Sequence, residues 1–215
     1  MQKKSPLIRI EKLSHSYSER HVFQDLSFDI TSGEICLITG PSGVGKTTLL
    51  SLIWGIISPQ SGEIQFDPIL LSRERWFGYA LIDGPFFETL TVLENILLLE
   101  NFSGIQIDRE YLQELLEYWE IDILISQTMI SLSVGQRERV NFVRALVHRP
   151  KVVILDEPGA NLDTHLFTKL LNHIKNSKWD TSYVIVSHDS RFLPIATEYI
   201  ELHSQISEKP RISLL

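Results

Sequence analysis

An α/β fold built on a mostly parallel sheet is predicted by three observations. Short apolar runs of the kind that form buried strands occur at Ile35-Cys36-Leu37-Ile38, Val152-Val153-Ile154-Leu155 and Tyr183-Val184-Ile185-Val186. Helical spacing lies between them, in Leu49, Leu52, Ile53 and Ile56 and again in Phe167, Leu170, Leu171 and Ile174. A glycine-rich loop separates the first of these strands from the first of these helices. Strands that alternate with helices are joined by crossovers, which cover both faces of a parallel sheet; this accounts for the unbroken apolar runs.

Taken in order, residues 7–34 read as β structure of a different kind. Ile8 and Ile10 alternate with Arg9 and Glu11, and Leu26, Phe28 and Ile30 alternate with Ser27 and Asp29. This is the period-two pattern of half-buried strands, and it predicts an N-terminal antiparallel β subdomain. Gly33 marks the turn into the first buried strand. After the helix containing Leu49, the cluster Ser58-Pro59-Gln60-Ser61-Gly62 breaks the chain, and Ile64 and Phe66 begin another half-buried strand. Residues 76–82 read as a strand ended by Gly84-Pro85. From there to about residue 130 the pattern is helical: Leu112, Leu115, Leu116 and Trp119 share one face, with Asp108 as N-cap. A helix from about Ser133 to Val147 stops before Pro150. The reading is a single domain over 1–215, with a core at about 7–82 and 148–202 and an inserted helical subdomain at about 83–147. The last dozen residues carry no pattern to which a role attaches.

Composition narrows the classes. The 215 residues are 43% hydrophobic and 22% charged, as expected of a globular chain with a large core. A formal charge of −7 argues against a nucleic-acid surface, which needs clustered Lys and Arg. The single cysteine, Cys36, lies in a predicted buried strand and cannot form an internal disulfide, which suits a reducing compartment. Met1–Arg9 has two lysines but no apolar region behind them, so no signal peptide is expected. No uninterrupted apolar run approaches a membrane span.

The glycine loop carries the chemistry. Gly40-Pro41-Ser42-Gly43-Val44-Gly45-Lys46-Thr47-Thr48 has the spacing G-x-x-x-x-G-K-[ST], and the predicted strand and helix flank it as a phosphate-binding loop requires. Glycines let backbone N–H groups turn around phosphate oxygens, and the helix adds its uncompensated N–H groups and positive dipole end. Lys46 can reach the β- and γ-phosphates, and the Thr47 hydroxyl can ligate Mg²⁺. A nucleoside triphosphate is the implied ligand. The run Val152–Leu155 ends in Asp156 and Glu157, at the carboxyl edge where open α/β sheets bind ligands. Asp156 can hold Mg²⁺ through its water shell, and Glu157 is placed to polarise a water for attack on the γ-phosphate.

A third segment, Leu132-Ser133-Val134-Gly135-Gln136 followed by Arg137-Glu138-Arg139-Val140, resembles the LSGGQ signature of ATP-binding cassette (ABC) ATPases. On its residues alone it is a helix N-terminus with Ser133 as cap and Gly135 allowing close backbone approach, which makes a second anion site. The resemblance implies more. Ser133, Gly135 and Gln136 would complete the ATP site of an opposing subunit. Tyr17 lies where the family stacks an aromatic ring on adenine. Asn161-Leu162-Asp163 is similar to the D-loop, with Asp163 near the dimer interface. His188, after Val184-Ile185-Val186-Ser187, is similar to the switch histidine that contacts the γ-phosphate. The resemblance runs from Tyr17 to about Leu202.

Two positions depart from the family pattern. Where the family carries a Mg²⁺-touching glutamine at the end of the strand read at 76–82, alignment of Gly78-Tyr79-Ala80-Leu81 places Ile82, and an isoleucine can neither ligate a metal nor hold a water. Asp83 is adjacent. Val134 stands where the signature has glycine and adds bulk beside the second anion site.

The resemblance therefore implies the ATP-binding and ATP-hydrolysing subunit of a transporter. Two cassettes, alike or different, would close on ATP and Mg²⁺ and drive a separate integral membrane subunit from the cytoplasmic face of the inner or plasma membrane. Pro158-Gly159-Ala160-Asn161-Leu162-Asp163 is most similar to small bacterial cassettes of the lipoprotein-releasing, macrolide-exporting and cell-division types. Two alternatives stand beside it. One is a weakly hydrolysing regulatory cassette, favoured by Ile82 and Val134. The other is a soluble non-transport ABC ATPase, which would typically carry coiled coils, zinc modules or a second cassette, none of them visible here.

Overall fold

The computed structural model describes residues 5–17, 20–71, 77–81, 84–177, 180–203 and 212–214. Two sheets organise them. In the first, β1 (Pro6–Tyr17) lies between β2 (Arg20–Thr31) and β4 (Ser61–Phe66), and both pairings are antiparallel. In the second, β5 (Gly78–Ala80), β6 (Val152–Asp156), β7 (Ser182–Val186), β3 (Ile35–Thr39) and β8 (Glu198–Glu201) run parallel in that order. A last strand, β9 (Ile212–Leu214), pairs antiparallel with β8 at the edge. The α/β class and the N-terminal antiparallel sheet are those the periodicity predicts.

The inner parallel strands β3, β6 and β7 are buried on both faces, and their side chains divide by parity between two cores. Leu37, Val153, Leu155 and Ile185 join one cluster, which contains Trp119, Phe142 and Phe167. Cys36, Ile38, Val152, Ile154, Val184 and Val186 join the other, which contains Leu49, Leu50, Leu52 and Ile53 of α1 (Lys46–Ile53) together with Ile8, Ile10 and Leu13 of β1. Burial pushes the Cys36 thiol far above its ordinary range, so it behaves as a small apolar side chain there.

Helices α2 (Val92–Ser103), α3 (Arg109–Tyr118), α4 (Val134–Leu146) and α5 (Thr164–Lys175) complete the fold. Their starts are written locally. Thr91 and Glu94 form a capping box on α2, Ser133 and Gln136 form one on α4, and Asp108 and Asp163 cap α3 and α5 through backbone N–H groups. α4 is not separate from the sheet. Gly78 of β5 has no room for a side chain, since a Cβ there would stand 2.0 Å from the Ala145 carbonyl oxygen. Phe142 shares a cluster with Val153 and Leu155, so the segment expected as an inserted subdomain shares its core with the main sheet.

Several local expectations change. The helical pattern from residue 84 begins only at Val92, and α2 and α3 are separated by Gly104, whose φ of 72° ends α2. Ile56, expected on the apolar face of α1, lies past the helix end and is exposed. Ser61 and Gly62 belong to β4 rather than to the break before it. A Cβ on Gly62 would lie 2.2 Å from the Lys12 carbonyl oxygen, so glycine is there because β1 closes in on it. The strand read at 76–82 is β5, three residues long; residues 76 and 82 lie outside the described residues. β9 falls in the terminal stretch where no pattern was legible.

Candidate functional site

The phosphate-loop residues leave β3 at its carboxyl end and enter α1. Gly40, Gly43 and Gly45 have φ values of 145°, 74° and 109°, which L side chains rarely adopt. At Gly45 and Gly40 space forbids side chains as well. A Cβ on Gly45 would lie 2.2 Å from Val22 Cγ1 and 3.0 Å from the Phe23 ring, and one on Gly40 would lie 2.5 Å from the Leu202 carbonyl oxygen. Gly45 is the N-cap of α1 and supplies no side-chain hydrogen bond to it. The first-turn N–H groups of α1 therefore have no intrahelical acceptor and no side-chain cap, which is what an anion at that end would satisfy. Gly45→Ala is expected to weaken ATP binding about tenfold or more through backbone strain and the clash with Val22, measured by equilibrium titration.

Lys46 Nζ donates to the carbonyl oxygens of Gly40 at 2.8 Å and Pro41 at 3.2 Å, which draws the ammonium across the loop. Val44 is buried in the core beneath, so its contribution to the loop is backbone. A cleft of about 490 Å³ opens over this surface, lined by Tyr17, Val22, Ser42, Gly43, Gly45, Lys46, Thr47, Thr48, Asp156 and Glu157. Tyr17 ends β1, is 53% exposed, and meets the buried His15 ring edge-on at 5.0 Å. The sequence reading missed Val22, whose place on a β strand carries no signal of its position against the loop.

Register brings the acids to the cleft. Asp156 is the last residue of β6, paired with Val186 of β7. Its carboxyl is raised above the usual carboxylate range, first by burial and then by the neighbouring Glu157 charge, while Lys46 opposes the shift. Glu157 takes a left-handed φ of 45°, and its N–H donates to the Val186 carbonyl at 2.7 Å. Held in that turn, its Oε2 accepts from the Ser187 hydroxyl at 3.1 Å and from the His188 N–H at 3.3 Å. His188 Nδ1 lies 2.9 Å from the same oxygen, with the His188 side chain 82% exposed and that of Glu157 20% exposed. One well-held carboxylate and one imidazole free on its other side thus stand at the carboxyl edge of the sheet. Ser187, buried beside them, is a further member that only the packing reveals.

The other predicted residues are elsewhere. Ser133, Gly135 and Gln136 form the start of α4 and do not line this cleft. Ser133 Oγ accepts from the Gln136 N–H at 3.3 Å, and Gln136 Oε1 accepts from the Ser133 N–H at 2.8 Å. Asp163 Oδ1 accepts from the Leu166 N–H at 2.8 Å as the cap of α5. Ile82 and Asp83, the departures from the family pattern, lie outside the described residues. Val134, by contrast, is 60% exposed beside Ser133. Among the described residues no group of three His, Cys, Asp or Glu side chains could hold a metal by itself.

Comparison with known proteins gives a consistent picture. The family model described as "ABC transporter" matches residues 23–160. An uncharacterized ABC transporter ATP-binding protein of Mycobacterium tuberculosis is 32% identical over 206 residues, which cover 90% of this chain and 62% of that protein. The chain thus spans about three fifths of the first relatives it matches. The lipoprotein-releasing system ATP-binding protein LolD of Bacteroides fragilis is 29% identical over 215 residues, covering 91% of this chain and 97% of LolD. Among solved structures, the post-hydrolysis dimer of an ATP-binding cassette bound to ADP and Pi superposes with a TM-score of 0.84 at 25% identity, covering 95% of this chain and 98% of that one.

Proposed function

This chain belongs to the ABC transporter family, and from that premise we propose that it binds and hydrolyses ATP as one half of a cassette dimer and drives a separate membrane subunit. The observation that carries the reading is the convergence of Lys46, Thr47, Asp156 and Glu157 on one cleft at the carboxyl edge of the sheet. Dimer closure is supported by the placement of Ser133 and Gly135 outside that cleft, at the start of α4. Among the described residues no helix is long and apolar enough to cross a membrane.

Each residue has a stated task in this reading. The loop amides and Lys46 bind the phosphates, and Tyr17 offers an exposed ring to the adenine. Thr47 and Asp156 would hold Mg²⁺, with phosphate oxygens and water completing the shell that the protein alone does not supply. When bound, the ion neutralises charge on the phosphates and relieves the crowding of Asp156 against Glu157. Glu157 takes the proton of the attacking water. His188, tied to Glu157 through Nδ1, has its other ring nitrogen available toward the γ-phosphate. Val134 beside the second anion site favours a slower, partner-dependent turnover.

The test is purification of the tagged chain from its native cell in mild detergent, with hydrolysis measured before and after the partner is removed. The expected outcome is a co-purifying integral membrane protein that raises ATP turnover. Recovery with nucleic acid or ribosomes would select the soluble non-transport reading. Full, uncoupled turnover by the isolated chain would exclude dependence on a partner.

A further inference from the structure

Glu138 stands on α4, one turn past the cap at Ser133, and its carboxylate holds a segment distant in sequence. One oxygen accepts the N–H of Gly159 and the other accepts the N–H of Asn161, the latter at 3.1 Å. Both amides belong to the turn that leaves Glu157 and leads to Asp163. The same helix touches this turn a second time. A Cβ on Gly135 would stand 2.8 Å from the Asn161 carbonyl oxygen, so the helix start lies against the turn with no side chain between.

The turn has little freedom to answer a displaced anchor by repacking. Gly159 holds a φ of 87°, and a Cβ there would lie 2.5 Å from the Phe167 ring. Glu157 itself sits at a left-handed φ immediately before. A half-buried carboxylate is costly unless its oxygens are satisfied, and the two backbone amides are what satisfy it. Burial raises the Glu138 carboxyl, and the bonds from Gly159 and Asn161 act against that rise.

We propose that Glu138 is a positioning residue for Glu157, fastening the turn behind the catalytic carboxylate to the helix whose N-terminus carries Ser133 and Gly135. The inference rests on the reading of Glu157 as the base given above. Its consequence is mechanical. A shift of α4 caused by an anion at Ser133 and Gly135 moves Gly159 and Asn161 with it, and Glu157 is two residues from Gly159. One chain would thereby report the occupancy of the site it completes in its partner to the carboxylate of its own.

The test compares the full-length chain with Glu138→Ala and Glu138→Gln in steady-state hydrolysis and in amide hydrogen exchange, with thermal melting as a check on folding. Alanine removes both acceptors, whereas glutamine keeps one and opposes a donor to the other N–H. The expected result for Glu138→Ala is exchange about tenfold or more faster over residues 157–163. Its kcat should fall about tenfold or more while the KM for ATP stays within about twofold. Glu138→Gln should fall between alanine and wild type in both readouts. A wild-type kcat in Glu138→Ala overturns the proposal, whether or not exchange rises, and so does an unchanged exchange rate. Turnover within a few-fold of wild type in Glu157→Gln overturns the reading of Glu157 itself, an outcome distinct from failure at Glu138.

Discussion

Glu157→Gln is expected to bind ATP as the wild-type chain does, to lose turnover by about a hundredfold or more, and to accumulate as a nucleotide-bound dimer. The geometry explains why affinity and turnover should separate. Glu157 contributes no hydrogen-bond donor to the phosphates, and its Oε2 is committed to Ser187 and His188. A glutamine carbonyl oxygen can accept the same Ser187 and His188 bonds, so the turn at Val186 keeps its shape. What it cannot do is take a proton from water. Removing one negative charge beside Asp156 should also lower the Asp156 carboxyl toward its ordinary range, since Glu157 is the second cause of its rise. Phosphate binding would then be slightly eased rather than weakened. Gel filtration with ATP and Mg²⁺, with bound nucleotide quantified in the dimer peak, reads the trapped state. Turnover within a few-fold of wild type would remove Glu157 from the base role and return the question to His188 or to water alone.

What was legible in the sequence was local. The phosphate loop is a contiguous run whose glycines, lysine and threonine need only the strand before and the helix after, both written in unbroken apolar or helically spaced residues. The same holds for caps: Asp108 and Ser133 act within three residues of themselves. Asp156 was legible because a strand end is a sequence position, and sheet topology places all parallel strand ends on one edge. The partners that position these groups were not legible. Ser187 meets Glu157 across 30 residues and Glu138 meets Gly159 across 21, and neither spacing has a period to detect. The extent of β4 failed for a related reason: Gly62 reads as a breaker until the Lys12 carbonyl is seen pressed against it. β8 was missed because Glu198-Tyr199-Ile200-Glu201 is too short and half-buried to stand out from a loop.

Lys46→Ala should remove ATP binding rather than turnover alone, with affinity falling about a hundredfold, equivalent to about 3 kcal/mol. Among the described residues Lys46 is the one positive charge acting on Asp156, and the cleft otherwise presents Asp156 and Glu157 to an anionic ligand. Without the ammonium a triphosphate would meet two carboxylates with only backbone dipoles to hold it. The fold should tolerate the change. Lys46 begins a helix whose buried residues are Leu49, Leu50, Leu52 and Ile53, and among the described residues its ammonium bonds to the carbonyls of Gly40 and Pro41. Those carbonyls can return to water at the loop surface, so the melting temperature without nucleotide should move little. A ligand that binds only the folded state at about a hundred times its Kd adds about 2.7 kcal/mol of stability, so ATP should raise the wild-type melting point by several degrees and leave Lys46→Ala where it was. Lys46→Arg separates charge from shape. It keeps the cation but not the compact ammonium that fits between two carbonyls 2.8 and 3.2 Å away, and it should recover part of the shift. An ATP-dependent shift in Lys46→Ala equal to that of wild type would show that the loop amides alone hold the phosphates.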